Sequence, residues 1–586
     1  MVIGQGKDLF TAECSHDFHI SCIASRVKLG CRVCPTCRTT WTDLFIQMIQ
    51  SYSPLTLEPT SFADGEPLPA PTPTPTPEAP INNTNTDSFP TSTHPHNANM
   101  IVTGLPQYPV LSNSKQSDNF AVLISLQAPR QIDHAPLDLI AILDVSDSMG
   151  GEKIRLAKQA IKFVVDNLGP SDQLSIITFV NSKQQLTQLS GMTDVRRVNT
   201  IQFKHTHDST NIIAGLKTAA VILEKRSEMN PVSSIILLSD GQDRRYTDSL
   251  DALKTLPLYL RTNDSSISVS QTGAVPVHTF GLGHDHNATA LHAIADGSGG
   301  TFSYIESIDT IQDAFAQCIG GLFSAKAQEV ELKVRCVSPG VQIKCIFSSR
   351  YRSCINADGI HGVIHMVDLY SEEKRMFLVC VSVPPADQET STTRLLEVNC
   401  SYKDPLSNLY ITSDIICVEI PRPPAEDVST KDMLREVDRE IIRIGIAENI
   451  SKAEAMAVRG ELSEAVSFLE QDKTNLMQTA SGEARDPFCE QLQKDLKAIQ
   501  EKMKSRAEFE ARGKAFMLSR CKTLFDQRAS TQALIPDGAS GSAPPDDIPY
   551  YQTSIMRRMV QRSQELRQLH DQNENSAESS SSNSKP

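Results

Sequence analysis

Residues 14–37 carry Cys14-Ser-His16, His19-Ile-Ser-Cys22 and Cys34-Pro-Thr-Cys37. Thiolate and imidazole are the donors that zinc prefers, and separations of one or two residues bring both members of a pair onto one ion. Scattered core or reactive thiols are the competing reading, against which six ligands arranged in pairs weigh heavily. A second constellation is chemically harder. Asp144-Val-Ser146-Asp-Ser148-Met-Gly150 directly follows an apolar run and opens a helical pattern. One carboxylate and two hydroxyls at such a turn project into the crevice above the carboxyl ends of parallel strands, where open α/β sheets bind ligands. Oxygen donors with incomplete charge neutralisation suit Mg²⁺ or another divalent cation. A turn and helix N-cap built from Ser and Asp is the bland alternative.

These residues need elements to position them, and 586 residues exceed what one hydrophobic core serves. Residues 1–41 are Cys/His-rich, and 53–97 are Pro/Thr/Asn-rich with Pro67, Pro69, Pro71, Pro73, Pro75 and Pro77 alternating. Such alternation favours polyproline II, so 53–97 reads as a disordered linker. Residues 98–325 read as an α/β domain with a preceding strand segment, because short apolar runs at 139–144, 174–180, 234–239 and 275–280 alternate with helix-length stretches. Runs apolar on both faces indicate a parallel sheet covered on both sides. Over 326–422 the period falls to two, as in Val330, Leu332, Val334 and Cys336, which predicts an antiparallel β-sandwich. Helical spacing returns over 426–528 in Leu434, Val437, Ile441 and Ile444, with Ser451 and Glu454 as a capping box. Residues 529–586 read as a mostly disordered tail with one helix over 556–570.

Composition narrows the function. With 56 basic against 70 acidic residues the net charge is −14, which argues against a nucleic-acid partner. No window reaches 18 consecutive apolar residues and no signal-peptide pattern opens the sequence. The expectation is an intracellular protein, cytoplasmic or nuclear, with no membrane span. Asp296-Gly-Ser-Gly-Gly300 lacks the Lys-Ser/Thr of a phosphate-binding loop and reads as a turn.

The order of the zinc-type ligands resembles the second, third and fourth ligand pairs of a RING-H2 finger, the module of many ubiquitin ligases. The resemblance implies one complete zinc site from Cys14, His16, Cys34 and Cys37, and a second, incomplete one from His19 and Cys22 whose Cys-x-x-Cys partner pair is absent. The simplest expectation is that the sequence begins inside a longer finger. Pro35 and Arg38 match the positions that contact the ubiquitin-conjugating enzyme. Such ligases orient a charged conjugating enzyme and form no covalent intermediate of their own.

The Asp144/Ser146/Ser148 turn, with Thr210 in Ser209-Thr210-Asn211 and Asp240 in Ser239-Asp240-Gly241, resembles the metal-ion-dependent adhesion site of von Willebrand factor A domains. That implies a Rossmann-like fold and a Mg²⁺-type ion that accepts an acidic side chain of a protein partner. The whole order of segments is similar to the plant RING-H2 ubiquitin ligases of the wavy-growth family, connected with root gravitropism. The implied function is a RING-type E3 ubiquitin ligase that recruits a conjugating enzyme through the finger and selects substrate through the A domain. The alternative is a non-catalytic scaffold whose incomplete finger no longer supports ubiquitin transfer. Native mass spectrometry of the 586-residue chain should read a single tightly held zinc ion; two would remove the half-finger expectation.

Overall fold

Strands whose side chains alternate between two helical layers need apolar residues on both faces, and Leu137–Asp144, apolar but for Asp138 and Asp144, is buried along its whole length. The computed structural model describes residues 9–11, 17–19, 99–131, 133–179, 184–186, 189–191, 211–241, 275–387, 391–424, 433–530 and 551–582. The chain divides into two units, Met1–His96 and Asn97–Pro586. In the first, β1 (Leu9–Thr11) pairs antiparallel with β2 (Asp17–His19), Phe10 opposite Phe18. His19 ends β2, whereas Cys14, His16, Cys22, Cys34, Pro35, Cys37, Arg38 and the linker at 53–97 lie outside the described residues.

The second unit begins with β3 (Ile101–Pro106) and β4 (Ser117–Gln127). The α/β domain follows as β5 (Leu137–Asp144), α1 (Glu152–Asn167), β6 (Gln173–Phe179), β7 (Gln184–Leu186), β8 (Ser190–Gly191), α2 (Ile212–Lys225), β9 (Val232–Ser239), β10 (Val277–Leu282), α3 (Ala288–Ser298), β11 (Phe302–Ile305) and α4 (Ile311–Phe323). Among the described residues its sheet runs β11-β10-β9-β5-β6-β7, with β8 also on β6. The first five of these strands are parallel. Leu139, Ala141 and Leu143 pack with Ile154, Ala157 and Ile161 of α1 and Phe315 of α4. Ile140 and Ile142 pack on the other side with Leu216 of α2 and Leu291 of α3. Each such buried aliphatic side chain contributes about 1.5–3 kcal/mol.

The remaining strands are β12 (Ala325–Cys336), β13 (Gln342–Phe347), β14 (Arg352–Ile355), β15 (His361–Tyr370), β16 (Lys374–Val383), β17 (Thr392–Lys403), β18 (Tyr410–Thr412) and β19 (Ile416–Pro421). They form two antiparallel sheets, one ordered β14-β15-β12-β17-β18 with β19 on β17, the other β13-β16-β4-β3. The strand segment before the α/β domain therefore belongs to the sandwich: β4 pairs with β16 along nine positions, Phe377 opposite Ile124. The α/β domain is an insertion between β4 and β12. Its neck is tied, since Gln131 Nε2 donates to the Ala325 carbonyl at 3.2 Å and the Gln131 N–H to Ser371 Oγ at 2.7 Å.

The helical region comprises α5 (Arg435–Val458), α6 (Leu462–Met477), α7 (Pro487–Glu501) and α8 (Lys514–Asp526). Ser451 and Glu454 lie within α5 and cap nothing, and Ile441 is exposed on it, while Val437 and Ile444 pack under the β4–β16 face. Gly460, at φ +95°, turns the chain from α5 into α6. The helix expected over 556–570 is present in the tail and extends beyond both of those bounds. α9 (Ser554–Ser582) lies across α4, where a side chain on Gly320 would meet the backbone of Met556 at 2.9 Å. Ser563 Oγ donates to Asp313 at 2.6 Å, and Arg567 pairs with the same carboxylate. Among the described residues no helix is long and apolar enough to cross a membrane.

Buried charge joins the C-terminal end of α8 to the sandwich. Arg528 donates to Glu373 and Asp368 at 2.8 and 2.9 Å, and its guanidinium carbon sits 3.9 Å from the centre of the Tyr370 ring. Arg375 donates to Glu373 at 2.8 Å, to the Tyr351 hydroxyl at 2.9 Å and to the Gln527 carbonyl at 3.0 Å. Burial pushes the Asp368 carboxyl up, whereas the two arginines overcome burial at Glu373 and hold it below the usual range. Two cations thus face two anions without solvent. Arg528→Ala leaves both carboxylates short of a partner and should destabilise the protein by about 3–5 kcal/mol, read as a lower urea midpoint. Arg528→Lys, which keeps the charge but loses the fork of donors, should recover part of that loss.

Candidate metal-dependent binding site

The two acidic residues of the adhesion-type set are brought together by strand order. β5 and β9 are parallel neighbours with Leu143 opposite Leu238, so Asp144 and the Ser239-Asp240 pair emerge side by side at the carboxyl edge of the sheet. Both aspartates are fully buried. After Asp144 the chain makes a short 3-10 turn, Asp147–Met149, pinned by the completely buried Met149. Gly151 then opens α1 at φ +72°, a left-handed conformation open to glycine at little cost.

The side chains interlock. Asp144 Oδ1 accepts the Ser146 N–H at 3.0 Å, an Asx turn that holds the loop close to the strand end. Asp144 Oδ2 accepts the Ser239 hydroxyl at 2.7 Å. Ser146 and Ser148 hydroxyls lie 3.1 Å apart, and Ser148 donates to Asp240 Oδ1 at 2.7 Å. The other Asp240 oxygen receives the Lys153 ammonium. Burial pushes the Asp144 carboxyl above its usual range, with the nearby Asp240 charge acting in the same direction and the Ser239 and Ser146 hydrogen bonds opposing it.

Four of the five sequence-predicted residues, Asp144, Ser146, Ser148 and Asp240, thus converge; Thr210 lies outside the described residues. Its neighbour Asn211 caps α2, its side chain accepting the Ala214 N–H at 3.1 Å. The donor set fits a hard divalent cation: two desolvated carboxylates gain from a positive charge between them, and two hydroxyls add neutral oxygen donors. Among the described residues no three His, Cys, Asp or Glu side chains gather as a metal cluster, so this mixed set differs from an all-protein cage. Sequence reasoning overlooked two participants. Ser239 was visible as the residue before Asp240. Lys153 was visible as a basic residue in the first turn of a helix, where the macrodipole disfavours it.

Residues 138–317 match the sequence profile of the von Willebrand factor type A domain, and residues 486–565 that described as VWA / Hh protein intein-like. The second match covers α7, α8 and the start of α9. The E3 ubiquitin-protein ligase WAV3 of Arabidopsis thaliana is 29% identical over 474 residues, 69% of this chain and 60% of the relative. The E3 ubiquitin-protein ligase WAVH1 of the same plant is 25% identical over 470 residues, 72% of this chain and 61% of the relative. The chain therefore spans about 60% of the length of these relatives. Among solved structures, a von Willebrand factor type A protein from Catenulispora acidiphila superposes with a TM-score of 0.53 at 17% identity, covering 72% of this chain and 96% of its own. The α/β insertion has the fold of a von Willebrand factor type A domain, and the chain has named E3 ubiquitin ligases among its relatives.

Proposed function

We propose that the chain is a RING-type E3 ubiquitin ligase whose A domain captures a protein substrate in a metal-dependent way. The observation that carries the capture reading is the convergence of Asp144, Ser146, Ser148 and Asp240 at the carboxyl edge of the parallel sheet. Alignment with WAV3 and WAVH1 over most of this chain supports the ligase reading. Ser146 and Ser148, with Thr210, would hold a Mg²⁺-type ion, while Asp144 and Asp240 would balance its charge from the buried side. The ion, when bound, supplies an open coordination position for a partner's carboxylate. Ser239 and the Ser146 N–H keep the Asp144 carboxylate fixed in orientation. At the N-terminus, Cys14, His16, Cys34 and Cys37 would hold one Zn²⁺, with His19 and Cys22 assigned to a second site. Pro35 and Arg38 would contact the conjugating enzyme.

The alternative reading is a scaffold that binds the same partners without supporting ubiquitin transfer. Incubation with activating enzyme, a panel of conjugating enzymes, ubiquitin and ATP separates the two. A ligase builds a self-modification ladder that disappears in Cys34→Ser and Cys37→Ser; a scaffold builds none with any conjugating enzyme. Capture is tested independently. Binding to acidic peptides should require Mg²⁺, be lost in EDTA, and fall at least tenfold in Asp144→Ala. Capture unchanged in EDTA would show that recognition does not pass through the metal.

A further inference from the structure

Lys153 is the second residue of α1 and reaches Asp240, 87 positions away in sequence. Its place is not explained by helix stability, because a cation in the first turn opposes the helix dipole. Neighbouring charges of that turn behave differently: Arg155 pairs with Glu152 on the exposed surface at 2.9 Å. Lys153 instead turns inward to a fully buried carboxylate, while 27% of its own side chain stays accessible. The flexible stem therefore has a route to solvent. Around the site the two aspartates carry two negative charges, which a divalent ion balances by itself. Ammonium and divalent ion at adjacent oxygens would repel each other strongly in a poorly solvated place.

We propose that Lys153 is a built-in competitor for the cation: its ammonium and the ion address the same Asp240 carboxylate, so Lys153 must swing out for the site to load. This rests on the metal-dependent reading above and adds to it a residue that sets the loading threshold. A monovalent ion offers Asp240 no more charge than the ammonium already does, so Lys153 biases the site toward divalent ions. An arginine there would hold the carboxylate with two donors and resist displacement further.

The test is Mn²⁺ binding to the full chain, followed by the loss of the free-ion signal in electron paramagnetic resonance, with unchanged circular dichroism confirming that each variant folds. Lys153→Met, of similar shape and uncharged, should bind Mn²⁺ about tenfold more tightly than the parent, and Lys153→Arg more weakly. Equal or weaker binding by Lys153→Met, with the parent still binding through Asp144, overturns the competitor role and leaves the metal reading standing. No Asp144-dependent uptake by the parent or Lys153→Met overturns both.

Discussion

Two carboxylates at the ends of adjacent parallel strands, both withdrawn from water, are the constraint around which the functional end of this molecule is arranged. An isolated buried carboxylate is costly, and two side by side are worse, so each oxygen must be given a donor. Asp144 is satisfied from within its own turn by the Ser146 N–H and across the strands by Ser239. Asp240 is satisfied by Ser148 and Lys153, both from the segment that follows β5. The same contacts therefore cross-link the two strand ends in both directions. The β5–β9 register is then decisive for the site: a slip of one residue would reverse the faces of Leu238 and Ser239 relative to β5 and dissolve the pairing.

Holding that edge still is the task of the scaffold. The A domain leaves the sandwich after β4 and returns at β12, and Gln131 bonds the two crossings to each other. A single tied neck would still permit rotation. α8 adds a second connection, because Ser519 donates to the Phe302 carbonyl of β11 at 3.2 Å while the Tyr351 hydroxyl of the sandwich donates to the Asp526 carbonyl at 3.0 Å. Asp296 at the end of α3 takes part as well: against burial, Arg350 of the sandwich and Lys522 of α8 hold its carboxyl well below the usual range. Charges in water would contribute little here, but Lys522 is buried and Arg350 and Asp296 keep only 28% and 27% of their side chains accessible, so breaking one pair leaves a poorly solvated charge behind.

What was legible in the sequence was whatever local spacing encodes. The strands of the parallel sheet, helix α1 and the Asp144/Ser146/Ser148 turn each announce themselves within a dozen residues, and Asp240 follows from the apolar run before it. Long-range pairing is different. Nothing in 101–127 says whether those strands join the sheet that follows immediately or the sandwich some 250 residues on, because the nearly continuous apolar run of β4, buried from Phe120 to Leu126, suits either; only the β4–β16 ladder decides. The Ser451/Glu454 pair misled because a capping motif competes with continuing helix, and burial of Ile450 and Ala453 against the other helices favours continuation. The helix in the tail was legible but its docking was not, because the polarity of the segment outweighed three apolar residues, Met556, Met559 and Val560. Their value depends on a flat landing site at Gly320 and Gly321 that lies far away in the chain.

Accessibility across the site runs in one direction. Asp144 and Asp240 are sealed, Ser146 is nearly so, and Ser148 and Lys153 reach the surface. A group approaching this edge would meet the Ser148 hydroxyl, the Asp147 carboxylate and the Lys153 ammonium first, and under the proposed function Asp144 and Asp240 would act on it only through a cation. An acidic partner group would be repelled by two bare carboxylates; Lys153 balances the charge of Asp240, whereas Asp144 has only the neutral donors Ser146 and Ser239. Exposed Asp147 and the Glu152–Arg155 pair lie beside that ammonium, so the field at this edge is the sum of several charges and is not set by Lys153 alone.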